Sequence, residues 1–182
     1  WHKVKLPCDL SSVPGLPEAK ILNFRRMIQK EDLPSRGRLF LGIPGAGGAV
    51  SVYLNGELLI KNAYGLLPIE AEIPSKYIAS GFEIRITVNR KALGEFRSAM
   101  SLAPEFATGI FRDIYIQARP GIFISGINFE QIDNVSELSV IIDGKSSEPL
   151  AVALSVEDSG GVKVASFDRI IPEIDGMITE KF

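Results

Sequence analysis

Cysteine and histidine are almost missing from this 182-residue chain, which has one of each, Cys8 and His2. A lone thiol cannot close an internal disulfide. A Cys/His zinc centre needs three or four ligands, more than these two residues supply, so no metal is expected. A Ser-His-Asp or Cys-His centre would have to recruit His2, at the very end of the sequence, which disfavours enzymes that depend on histidine chemistry. Neither sign of charge is in excess. Lys and Arg number 20 against 22 Asp and Glu, for a net charge of −2 and a pI near 5.6. No basic surface asks for nucleic acid and no acidic run forms a solvating tail. Apolar runs all fall short of the ~20 residues that span a bilayer. The opening Trp1-His2-Lys3-Val4 is not the charged start of a signal peptide. The expectations are therefore no cofactor, no nucleic acid and no membrane. A start at Trp1 without Met reads as a trimmed segment and leaves the compartment unassigned.

What is present is β-sheet sequence. The composition, 46% hydrophobic and 23% charged, is that of a globular protein with ample material for a core. Short runs rich in Val, Ile, Phe and Tyr alternate with Gly, Pro, Asn and Asp. Strands are expected at 22–29, 38–43, 49–54, 58–61, 69–73, 83–89 and 108–117, with one helical turn within 74–80. Val50, Val52 and Leu54 alternate with Ser51 and Tyr53, a half-buried pattern. Asn55-Gly56 then supplies a tight hairpin, since both tolerate positive φ. Ala118-Arg119-Pro120-Gly121 breaks the run. Beyond it strands are expected at 122–129, 136–142, 150–156 and 162–167, with another beginning at 177–182. Asp143-Gly144 and Gly160-Gly161 read as turns. The expected fold is all-β: a jelly-roll sandwich over 1–119, then a partial immunoglobulin-like sandwich over 120–182. The second is expected to be truncated, with exposed edges that pair with another chain.

Several patterns resemble catalytic chemistry and dissolve on inspection. Gly42-Ile43-Pro44-Gly45-Ala46-Gly47-Gly48 resembles a phosphate loop, but lacks the following Lys-Ser/Thr and the helix; a flexible inter-strand turn is expected. Glu70 and Glu72 share one strand face, roughly 7 Å apart, within the range of glycosidase carboxylate pairs. Their alternation with Ile69, Ala71 and Ile73 makes them the wet side of an amphipathic strand. Lys3, Lys5, Arg25, Arg26, Arg36 and Arg38 lie among acids and read as solvated surface. Tyr53, Tyr64, Tyr77 and Phe96 could stack on sugars, yet sandwich aromatics are mostly core or cross-strand pairs. Arg112 stands out. On a strand over 108–117 it shares a face with Ile110, Ile114 and Ile116, where a guanidinium needs an acid, a polar interface or water. In-chain acids for it are Asp9, Glu18 and Glu105.

Taken in order, several segments resemble the N-terminal part of glycoside hydrolase family 2, the β-galactosidase and β-glucuronidase group. Trp1-His2-Lys3-Val4-Lys5-Leu6-Pro7-Cys8-Asp9 is similar to the family's opening, with Cys8 where histidine is common. Phe24-Arg25-Arg26-Met27-Ile28 is similar to its aromatic-Arg strand. Residues 39–56, ending in an apolar strand and Asn55-Gly56, resemble its next segment. Residues 68–73 and 81–88 follow, with Glu83 where Asn is usual. Thr108-Gly109-Ile110-Phe111-Arg112-Asp113-Ile114-Tyr115-Ile116 is the most specific match. The resemblance implies a sugar-binding jelly roll followed by an immunoglobulin-like domain. It implies catalysis by glutamates on a separate C-terminal (β/α)-barrel, so no catalytic residue is assigned here. It places Glu105 near the substrate and gives Asp9, Asn55, Gly56, Gly109 and Arg112 structural or interface roles. The implied partners are carbohydrate, through a parent enzyme's active site, the barrel, and a second copy in a homo-oligomer. The parent would be periplasmic or secreted. The alternative is a stand-alone carbohydrate-binding β-sandwich module without hydrolytic activity.

Overall fold

A computed structural model describes residues 1–7, 19–91, 109–133 and 135–182. The chain divides into two units, Trp1–Ala118 and Arg119–Phe182. The described elements are almost all strands. Unit 1 carries β1 (Ile21–Ile28), β2 (Arg38–Ile43), β3 (Ala49–Leu54), β4 (Glu57–Asn62), β5 (Ile69–Glu72), α1 (Ser75–Ile78), β6 (Phe82–Asn89) and β7 (Tyr115–Arg119). Unit 2 carries β8 (Phe123–Ile132), β9 (Val135–Ser146), β10 (Leu150–Glu157), β11 (Lys163–Ile171) and β12 (Ile174–Lys181).

In unit 1 a four-stranded sheet, ordered β1-β6-β3-β4, accompanies a three-stranded sheet, ordered β5-β2-β7. The expected alternation is what builds the core. Val50, Val52 and Leu54 of β3 are at most 1% exposed, and Phe82, Ile84, Ile86 and Val88 of β6 are buried beside them. From the other sheet come Leu39, Leu41 and Ile43 of β2 with Ile69 and Ile73, all in the same apolar cluster. The architecture is an all-β, sandwich-like one. Asn55 (φ 48°) and Gly56 (φ 87°) close the β3–β4 hairpin, the paired positive φ of a type I′ turn. Asn55 also ties the turn to β6: its Oδ1 accepts from the Glu83 amide at 2.8 Å. The expected helical turn is α1. Gly81 follows it at φ 75°, and a Cβ there would lie 2.5 Å from the Ile28 carbonyl oxygen.

Three expectations are corrected. The strand expected over 108–117 is paired as a strand only from Tyr115. Upstream, Ile110 makes an isolated bridge to Ala46, and 111–114 leave the ladder. The Gly42–Gly48 segment is not flexible: all but Pro44 are buried. The Ala46 amide donates to Gly65 O at 2.7 Å, Gly47 to Gly109 O at 2.7 Å and Gly48 to Ala46 O at 3.0 Å. A phosphate loop needs free amides; these are already spent on backbone carbonyls. Asp143-Gly144 is not a turn but part of β9, with Gly144 opposite Gly176. Glycine is there because the backbone of Gly121 and Ile122 approaches to where a Cβ would sit, at 2.7 and 2.8 Å.

Unit 2 pairs a three-stranded sheet, β12-β9-β8, with a two-stranded one, β10-β11. Its apolar cluster centres on Val140, Ile142, Ile171 and Ile174. The β10–β11 turn is the expected one: Asp158 Oδ1 accepts from the amides of Gly160 (2.8 Å) and Val162 (2.9 Å), with Gly161 at φ 80°.

Candidate functional site

Unit 1 holds a cleft of about 1200 Å³. Its floor is apolar: Leu41 of β2 and Ile84 and Ile86 of β6. Its walls are the N-terminal segment with Val4 and Leu6, β1, and residues 113–116 leading into β7. Arg26 enters it from an unexpected side. The register pairs Arg26 with buried Ile84, and directly paired residues share a sheet face. Arg26 therefore belongs to the inward row of Leu22, Phe24 and Ile28, yet it is exposed because the cleft opens there. The sequence reading of Arg26 as solvated agrees with its exposure, but did not place it in the inward row. Alternation along β1 was the signal that could have found it. The rim mixes charges, with Lys3, Lys5, Asp32 and Asp113. His2 lies there too and has no hydrogen bond to an acid or hydroxyl among the described residues. No group of three or more His, Cys, Asp or Glu placed to hold a metal occurs among the described residues.

The residues singled out in the sequence are not gathered into this cleft. Arg112 is exposed, between buried Ile110 and half-buried Ile114. Leaving the ladder after Ile110 frees its side chain from the apolar face on which regular alternation would have put it. Asp9, Glu18, Glu105, Cys8 and Phe96 lie outside the described residues. Gly109 is buried at φ 106°, and its carbonyl accepts from Gly47. Glu70 and Glu72 are each engaged on the outer side of the β5-β2-β7 sheet. Glu72 accepts from Arg38 Nε at 2.9 Å and Nη2 at 2.6 Å, a bidentate pair. Glu70 Oε2 accepts from Gln117 Nε2 at 3.1 Å. Tyr115 lies across Gly42 on the same sheet, where any Cβ would meet its ring.

At the start of β4, Glu57 Oε2 accepts from Lys76 Nζ at 2.5 Å and from Tyr77 Oη at 2.6 Å. These two hydrogen bonds, with the lysine charge, hold the Glu57 carboxyl below its ordinary 4.5. The same contacts raise Lys76 and Tyr77. A depressed acid contributes stability that is present above its unfolded value and lost as pH falls through the folded one. The Glu57→Gln variant is therefore expected to be less stable than the parent at neutral pH, the difference shrinking below pH 4.5. Urea midpoints measured from pH 3 to pH 7 check this. A difference constant with pH would mean that the carboxylate's charge plays no part.

Neither the family models nor the curated proteins contain a match to this chain. Solved structures do. A calcium-binding mutant of Bacteroides uniformis beta-glucuronidase 2 matches all of this chain and 24% of its own, with 18% identity and a TM-score of 0.66. A family 2 beta-galacturonidase from Eisenbergiella tayi matches over 98% of this chain and 31% of its own, with 14% identity and a TM-score of 0.62. A beta-D-mannosidase from Dictyoglomus thermophilum matches over 88% and 23%, with 13% identity and a TM-score of 0.61. The chain thus spans about a fifth to a third of the length of the structures it matches. The resemblance read from the sequence is borne out in the fold: this chain shares its all-β fold with a portion of family 2 β-glycosidases.

Proposed function

We propose that the chain is the non-catalytic all-β part of a family 2 glycoside hydrolase, a jelly roll over 1–119 and an immunoglobulin-like sandwich over 120–182. The observation that carries this is coverage. The likeness extends over 88–100% of this chain in glycosidases of three specificities, so the shared element is not tied to one substrate. In this reading the chain supports a catalytic (β/α)-barrel and shapes one wall of its carbohydrate pocket. Glu105 faces the sugar, and Arg112, left exposed beside the base of that loop, contacts the barrel. The described residues agree with a supporting role: the one histidine is exposed, and the tempting acids Glu70 and Glu72 are held by Gln117 and Arg38. The test is an activity comparison on aryl β-glycosides. The isolated chain is expected to hydrolyse none of them. The native protein, captured with an antibody to this chain, is expected to hydrolyse at least one. Hydrolysis by the isolated chain would overturn the reading.

A further inference from the structure

The solvent face of the β1-β6-β3-β4 sheet carries an arrangement that the supporting role does not use. Arg25 of β1 stands directly opposite Arg85 of β6, and Arg85 directly opposite Tyr53 of β3. Like charges directly opposed destabilise a sheet, and no acid among the described residues relieves them. Glu83, next along the same face, pairs with neither, and no ion pair to either arginine occurs among the described residues. Each guanidinium is held by a ring instead. Arg25 lies 4.2 Å from the centroid of the Trp1 ring, and Arg85 lies 4.7 Å from that of Tyr53. The Arg85 Nε is covered and has no hydrogen-bond partner among the described residues. A ring under a guanidinium fixes its plane without consuming its in-plane donors. The Nη donors of these two opposed arginines are left to meet a carboxylate.

The neighbouring row of the same face is polar. Asn23 accepts from Thr87 Oγ1 at 2.8 Å, which occupies its oxygen and leaves its amide nitrogen to donate. Lys61 lies in the same row, across β3 from Thr87. Of the exposed apolar side chains, Ile21, Met27 and Leu58 sit at the margins, and Trp1 lies against Arg25. Protein interfaces are built the other way round, with apolar centres depleted of charge and polar rims. Charge at the centre with hydrogen-bonding groups alongside suits a hydroxylated anion.

We infer that the Arg25–Arg85 pair is a binding site for the carboxylate of a uronic-acid-containing glycan, with Asn23 and Lys61 contacting the sugar hydroxyls. Trp1, Asn23 and Arg25 also line the cleft described above, and the inference does not rest on the function proposed above. The test is titration of the full 182-residue chain with an oligogalacturonide at low salt, followed by calorimetry and amide shifts. A neutral galacto-oligosaccharide of equal length and a polyglutamate peptide are titrated in parallel. Saturable binding of the uronide is expected, weakened about tenfold or more in Arg25→Gln and in Arg85→Gln, since each removes half of a charge-assisted clamp. Lys163→Gln, an equal loss of net charge at a residue outside the proposed clamp, is expected to change it less than about twofold. Arg85→Lys keeps the charge and loses the fork; it should fold as the parent does and still bind more weakly, which covers the case of a misfolded Arg85→Gln. Absence of saturable uronide binding would overturn the inference. So would equal weakening by Lys163→Gln, equal binding of the neutral sugar, or polyglutamate binding as tight as the uronide.

Discussion

Replacing Gly65 with alanine should destabilise unit 1 by about 3 kcal/mol or more, beyond ordinary overpacking. The reason is that the obstacle is backbone. A Cβ at Gly65 would stand 2.1 Å from Gly48 O and 2.9 Å from Ala46 O. Neither oxygen belongs to a side chain that can rotate away. The same short stretch is tied by Ala46 N to Gly65 O at 2.7 Å and by Gly65 N to Gly48 O at 3.1 Å, so moving apart costs hydrogen bonds among buried groups. Gly56→Ala is the control. That glycine has positive φ but nothing within 4 Å of its Cβ position, so only left-handed backbone strain of about 1 kcal/mol is expected. Denaturant midpoints of the two variants check the ranking. Equal losses would mean that the Gly45–Gly48 segment yields easily and is not the pinned element described above.

Ile174→Ala should unfold unit 2 and leave unit 1 folded. Ile174 is 1% exposed, and among the described residues the buried cluster it belongs to has three other members, Val140, Ile142 and Ile171. Truncating a buried Ile typically costs about 2–5 kcal/mol. A core this small has little reserve, given that a whole domain is stable by only about 5–15 kcal/mol. Several large apolar side chains of the unit are already exposed, among them Ile124, Ile127 and Phe129 of β8 at 57%, 60% and 63%. Amide spectra should lose dispersion for residues 119–182 and keep it for 19–91. A uniform small shift with both units intact would contradict this.

Much of this fold was legible because alternation is a direct imprint of burial. The strands at 38–43 and 49–54 have the expected bounds, and the Asn55-Gly56 hairpin follows from two residues that tolerate positive φ. The misses share a cause: long-range approach of backbones, which local pattern does not encode. Gly144 looked like a turn because glycine usually marks one, whereas here Gly121 and Ile122 press against it. The Gly42–Gly48 segment looked flexible for the same reason. Arg112 was placed on an apolar face by assuming that alternation ran unbroken from 108 to 117; the break at 111–114 has no signal in residue type. Of the candidate site, Arg26 was readable from alternation with Leu22, Phe24 and Ile28. The Arg25–Arg85 opposition was not, because it needs the register between strands distant in sequence.

If this all-β chain serves a larger glycosidase, as proposed, the native polypeptide must be much longer than 182 residues. An antibody to this chain, used to blot its source cells, should detect a band heavier by at least a catalytic barrel, about 250 residues. A band near 19.8 kDa, the mass of the chain itself, would contradict the claim and leave a stand-alone carbohydrate-binding module in its place.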